Sequence, residues 1–224
     1  MKIINTAALI AVAFIAPFTS VFAQEEMEVS AIEARKVLTE MTNQTKKCST
    51  IYLEFTASYE NKRTGNKHSC DGTLKVKGEK YVLDVSDMVT YSEEDKVSVW
   101  QKKINELDIS SHDEEAEGDM TPAKLFGGAY QEGYKLRMLG DKKVGGEECV
   151  EVDLYPKDTK SPIMRIRLSI SKKTKMLKRF MQQYKLGESL TVDIKTFTPN
   201  KPMADKEFSF DSAAHKDVEI VDLR

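Results

Sequence analysis

Ile51-Tyr52-Leu53-Glu54-Phe55-Thr56-Ala57-Ser58-Tyr59 is the stretch on which the fold turns. Its odd positions read Ile, Leu, Phe, Ala, Tyr; its even ones read Tyr52, Glu54, Thr56 and Ser58. A period of two with one apolar side is the mark of a half-buried strand. Thr64-Gly65-Asn66 follows as a turn signal. The chain then returns with Cys70, Gly72, Leu74 and Val76 on one side and Asp71, Thr73, Lys75 and Lys77 on the other. The two runs predict an antiparallel hairpin with one face to bury.

The alternation continues outward from this hairpin. Tyr81, Leu83 and Val85 form a strand after Gly78-Glu79, and Val97 to Ile109 holds two short strand candidates around Trp100. Further strands are expected at Tyr134-Leu136-Met138, Val150-Val152-Leu154, Met164-Ile166-Leu168-Ile170, Phe180-Gln182-Tyr184-Leu186, Leu190-Val192-Ile194 and Val218 to Leu223. Many strands joined by short turns make a mainly β (α+β) chain built on an antiparallel sheet or barrel. Ser110 to Asp119 is polar, acidic and aperiodic, and reads as a mobile loop.

Two helices are expected beside the strands. Ser30 with Glu33 reads as a capping box, followed by Ala31, Ala34, Leu38 and Met41 at helical spacing, with Val37 beside them and an end near Asn43. Thr121 caps a short helix with Pro122 at its first position. That helix carries Leu125, Phe126 and Tyr130, and Gly127-Gly128 limits its stability.

At the N-terminus, Lys2, the apolar run Ala7 to Phe18 and Val21-Phe22-Ala23 have the pattern of a cleavable export signal over residues 1–23. Cleavage before Gln24 leaves residues 24–224, expected as a single domain in the periplasm. The absence of Cys at that position argues against a lipid anchor. The whole sequence has 34 basic and 36 acidic residues, for a net charge of −2. That near balance argues against nucleic acid, which favours a concentrated basic surface.

Little in the chain points to covalent chemistry. Cys48, Cys70 and Cys149 are odd in number, so at least one thiol is free. The hairpin puts Cys48 and Cys70 far out of register, which favours free thiols; a bridge from Cys149 to either stays open. His68, His112 and His215 lack metal-ligand spacing. The sequence has no G-x-S-x-G elbow, H-E-x-x-H pair or phosphate-binding glycine loop. Asp113-Glu114-Glu115-Ala116-Glu117 reads as a solvated charge run, and Asp153 and Asp193 as solvent-face residues. The expectation is no enzyme, no metal and no cofactor.

What remains is an apolar sheet face that two helices must cover, either as a filled core or as a wall around a cavity. Met41, Met88, Met138, Met164, Met176 and Met181 suit either role, because Met adapts its shape. Taken alone, they favour a filled core.

Four stretches carry a resemblance. They are the amphipathic helix leading to the Phe55 strand; Gly72-Thr73-Leu74-Lys75-Val76-Lys77 leading to Tyr81-Val82-Leu83; Thr121-Pro122-Ala123-Lys124-Leu125-Phe126 with Tyr130-Gln131-Glu132-Gly133-Tyr134-Lys135; and Phe208-Ser209-Phe210-Asp211 with Val218 to Arg224. In this order they make the chain resemble the LolA-like periplasmic carriers of outer-membrane lipoproteins, in their Bacteroidetes form. The resemblance implies an unclosed antiparallel β-barrel, or strongly curved sheet, with an α-helical lid over a hydrophobic cavity for lipoprotein acyl chains. It also implies acylated lipoproteins and an inner-membrane ABC lipoprotein-releasing transporter as partners of a monomer, with an outer-membrane acceptor left open. Proteobacterial members carry Arg-Pro after the glycine strand, and that Arg gates the lid; here the place reads Gly78-Glu79, and Lys77 is the candidate for a similar contact. Their Asp-Gly before the Trp strand reads Glu94-Asp95-Lys96.

On this reading, strand parity puts Leu53, Phe55, Leu74, Val76, Leu83, Val85, Trp100, Leu136, Val152, Leu154, Ile166, Leu168 and Phe180 on the cavity wall. Leu38, Met41, Leu125 and Phe126 line the lid. The alternatives are a lipid- or lipoprotein-sensing regulatory module of related fold and an envelope lipid hydrolase. The first lacks room for a partner-binding domain, and the second lacks a nucleophile motif.

Overall fold

The computed structural model describes residues 18–112, 120–128 and 130–224. Helix α1 spans Phe18–Thr45. A meander of six strands follows: β1 Ile51–Asn61, β2 Lys67–Lys77, β3 Lys80–Val85, β4 Met88–Ser92, β5 Lys96–Gln101 and β6 Glu106–Ser111. Two short helices, α2 Pro122–Gly127 and α3 Tyr130–Gly133, lead into a second meander. Its strands are β7 Tyr134–Val144, β8 Glu147–Pro156, β9 Ile163–Ser171, β10 Leu177–Tyr184 and β11 Glu188–Pro199. A 3₁₀ turn at Asp205–Phe208 and β12, Glu219–Asp222, close the chain.

All twelve strands form one sheet in the order β12-β6-β5-β4-β3-β2-β1-β11-β10-β9-β8-β7. The two meanders join where β11 pairs antiparallel with β1, Leu53 opposite Phe197 and Ala57 opposite Val192. β12 runs parallel to β6. The outer strands β12 and β7 do not pair with one another, so the sheet is an unclosed barrel with helices on its concave side.

The hairpin reading holds: Leu53 faces Leu74 and Ala57 faces Cys70. Strand β4 has no counterpart among the expected strands. It is five residues long and is entered through Ser86 at φ 55, so it shows too few periods to register as alternation. The parity expected for β9 fails at its start. Met164 is 42 % exposed and Ile163 is 1 % exposed, because the register with β10 slips between Gln183 and Tyr184. Of the other methionines, Met88 lies out in solvent and Met41 is fully buried.

α1 also departs from expectation. Ser30 is not its N-cap, because the helix already runs from Phe18 and so across residue 23. The Ser30 hydroxyl instead accepts the Met138 N–H at 2.9 Å, which saturates a donor on the edge strand β7. The helix ends near the expected place. α2 matches its signal: Thr121 accepts from the Lys124 N–H, and Gly128, at φ 84, closes the C-terminus by donating to the Lys124 carbonyl.

Candidate functional site

The concave face is built from strand parity and then covered by helices. From β1 come Ile51, Leu53 and Phe55; from β2, Leu74 and Val76; from β3, Tyr81. Leu136, Val152, Leu154, Ile166, Leu168 and Phe180 continue the same face through β7 to β10. Register rows tie these together: Met138 lies opposite Val152, Val152 opposite Leu168, and Leu168 opposite Phe180. Leu83 and Val85 pack against the same cluster, half-buried.

The residues expected on a lid are buried. Ala34, Leu38 and Met41 are fully buried against this face, and Leu125 and Phe126 join them from α2. Burying one such side chain contributes about 1.5–3 kcal/mol. Polar side-chain contacts fasten the two short helices to α1 at two places. Thr45 donates to the Phe126 carbonyl at 3.2 Å, and the Thr42 and Tyr130 hydroxyls share a bond of 2.9 Å. Burial pushes the Tyr130 phenol above its ordinary range, partly offset by the Thr42 bond.

The face is therefore filled along most of the sheet, Leu53, Phe55 and Leu74 included, and open at one end. Val152, Leu154, Ile166 and Leu168 are 0 % exposed. A cavity of ≈ 760 Å³ opens at the C-terminal end of α1, between α2 and the β2–β3 and β4–β5 turns. Its apolar floor is Ile51, Val76, Tyr81 and Phe126; its rim is polar, with Lys46, Glu79, Glu93, Glu94, His112 and Lys124. Of the expected wall and lid residues, Val76 and Phe126 line this cavity. The others named so far belong to the buried cluster or pack against it, and none of the six methionines proposed as adaptable filler is among the lining residues of the cavity.

Two expectations are corrected on the convex side. Trp100 does not face the cavity. It lies opposite Val89 and Leu107, on the other face of the sheet, in a second cluster with Val82, Val89 and Phe208. Its indole packs on Phe210 and His215, with ring centroids 5.7 and 4.2 Å away. Lys77 does not gate the lid either. It reaches away from the cavity to the Asp205 carboxylate at 2.6 Å and the Met203 carbonyl at 3.3 Å. β2 alternates, so Lys75 and Lys77 share the convex face, and together they clamp the C-terminal segment there.

Asp153 is a third correction. It is 1 % exposed and takes a bidentate pair from Arg167 at 2.7 and 2.9 Å, with Arg165 and Tyr155 at 3.4 and 3.1 Å. The outward parity was right, but its neighbours close over it. The Asp153 bond raises the Arg167 guanidinium further above its already high range.

Cys48, Cys70 and Cys149 are all free thiols. Burial pushes the Cys48 and Cys149 thiols up. Among the described residues no group of His, Cys, Asp and Glu is arranged to hold a metal ion, and no helix is long and apolar enough to cross a membrane. The acidic run at 113–117 lies outside the described residues. Sequence reasoning missed the polar rim, because Glu79, Glu93 and Glu94 sit in turns that carry no periodicity.

No protein-family model and no curated protein sequence matches the chain. Among solved structures, it is similar to a conserved protein from Thermus thermophilus, at 12% identity over 85% of this chain and 99% of that one, with a TM-score of 0.54. A LolA superfamily protein from Nitrosomonas europaea is similar at 10% identity, over 79% and 97% of the two chains, with a TM-score of 0.45. The Mycobacterium tuberculosis lipoprotein LppX is similar at 15% identity, over 76% and 98%, with a TM-score of 0.47. At these identities the likeness is one of fold alone.

Proposed function

We propose that the protein is a periplasmic carrier that binds the acyl chains of lipoproteins on its concave face and moves them from inner to outer membrane. The observation that carries this is the partly filled concave face. An apolar floor is left open at one end of the sheet, in a cavity of ≈ 760 Å³, within the ~300–1,000 Å³ usual for small-molecule sites. The remaining apolar face is continuous with it under helices fastened by the Thr42 and Thr45 bonds. Each methylene buried there contributes about 0.8 kcal/mol. An acyl chain entering at the mouth gains more by displacing α2, because Leu125 and Phe126 cover the adjoining apolar surface. That partial enclosure limits affinity and permits release.

In this reading residues 1–23 are removed on export, residues 24–224 work as one unit, and an inner-membrane ABC transporter loads it. No covalent chemistry is required. Cys48 supplies the test, because it lines the mouth. The rate of Cys48 alkylation is measured with and without a diacylated peptide, in the Cys70→Ser, Cys149→Ser background. Strong protection by the acylated peptide, and none by the same peptide without its chains, is the expected result. Equal rates in all three conditions would sink the proposal. Mass spectrometry of the protein taken from its native envelope adds an independent check, with co-purifying triacylated lipoprotein as the expected finding.

A further inference from the structure

At the end of β1 far from the mouth, three turns are tied into one tip. The β1–β2 turn meets the β10–β11 turn where the Lys62 N–H donates to the Gly187 carbonyl at 3.1 Å. The β10–β11 turn meets the β8–β9 turn where the Lys185 N–H donates to the Pro162 carbonyl at 2.9 Å. Eleven residues of β1 separate this tip from the mouth, about 35 Å at strand rise.

Lys62, Arg63, Lys157, Lys160 and Lys185 are all exposed on this tip. Among the described residues, none of the five pairs with a carboxylate. Lys157 and Lys185 instead donate to the main-chain carbonyls of Glu132 and Thr159, each at 2.6 Å. Carbonyls hold the ammonium groups in place and leave their charge uncancelled. Of the carboxylates nearby, Asp158 accepts the Lys160 N–H, Glu188 accepts from the Asn61 amide, Glu60 pairs with Lys67, and Glu132 is exposed beside Lys157. Leu186 stands at the apex, 65% exposed. On a chain of net charge −2, five cations against Asp158, Glu188 and Glu132 make a local excess of positive charge around one protruding apolar side chain.

We infer that the tip docks on the surface of an anionic phospholipid bilayer. Lys and Arg gain from an anionic surface, and an apolar side chain among them adds a burial that neither a soluble acidic protein nor water requires. The docking is reversible, since one leucine and five cations fall far short of an inserted helix. It directs the mouth away from the lipid surface, so docking leaves the cavity free.

The test is sedimentation of the protein with vesicles of equal parts phosphatidylcholine and phosphatidylglycerol, against vesicles of phosphatidylcholine alone. The expected result is binding to the first and not the second, lost at high salt. Each charge removed weakens binding about fivefold, so the Lys62→Gln, Arg63→Gln, Lys160→Gln variant binds on the order of a hundredfold more weakly. Leu186→Ala weakens it about tenfold. These side chains are solvent-exposed, so the variants keep the fold. The control removes equal charge at the other end of the sheet, with Lys142→Gln, Lys172→Gln and Lys173→Gln, and binds as the parent does. Binding to neither vesicle, equal binding to both, or equal losses in tip and control variants would overturn the inference.

Discussion

A methyl group added at Gly72 would lie 2.6 Å from the Phe55 ring and 2.8 Å from the Asp84 carbonyl. The ring of Phe55 lies over the glycine because nothing stands there. Gly72→Ala is therefore expected to cost about 1–3 kcal/mol as an overpacked site, read from the urea midpoint. Adding Phe55→Leu should recover part of that loss. No recovery would mean that the Asp84 main chain, not the ring, sets the limit. At Asp153 the expectation is different in kind. Asp153→Ala leaves Arg167 without the partner it grips bidentately and is expected to cost about 3 kcal/mol, while Asp193→Ala, whose Arg179 partner is a third exposed, should cost less than about 1 kcal/mol.

Among the elements, the C-terminal segment is held to the convex face by Lys75–Glu207 and Lys77–Asp205 pairs of 2.8 and 2.6 Å. Those bonds hold the Glu207 and Asp205 carboxyls below their ordinary values of 4.5 and 3.8. Carboxylates depressed in the folded state contribute their full stabilisation above the unfolded-state value and lose it as pH falls through the folded-state one. The clamp should thus hold at neutral pH and begin to weaken only below about pH 4.5. Trp100 reports on it, because Phe210 and His215 pack against its indole. Its emission is expected to shift in acid before the far-ultraviolet signal of the sheet is lost. Lys75→Gln with Lys77→Gln should bring the shift closer to neutral pH. For the N-terminal helix, Ser30→Ala removes the acceptor of the Met138 N–H and should cost about 1 kcal/mol, read from thermal unfolding.

At the scale of the whole molecule, the sequence carried most of the architecture and less of the site. The hairpin at Ile51–Lys77 was legible because one face is buried over its length, and a one-residue slip would expose that face. The α2 cap was legible because Thr121 and Pro122 are chosen by local geometry alone. Ser30 misled because a capping pattern is a local signal, and this serine serves an edge strand 108 positions away. The resemblance makes Lys77 a candidate for gating the lid, and strand parity puts Trp100 on the cavity wall. Parity assigns a residue to a face without saying what covers that face. The convex side acquired a second apolar cluster only when residues 203–215 folded back across it. The sequence by itself determined a one-sided, many-stranded sheet and the helices to cover it, because periodicity and caps are local. Where that cover ends was decided only in the tertiary structure. The filled part and the empty part of the concave face have the same apolar alternation, and they differ by which strands α1 and α2 come to rest upon.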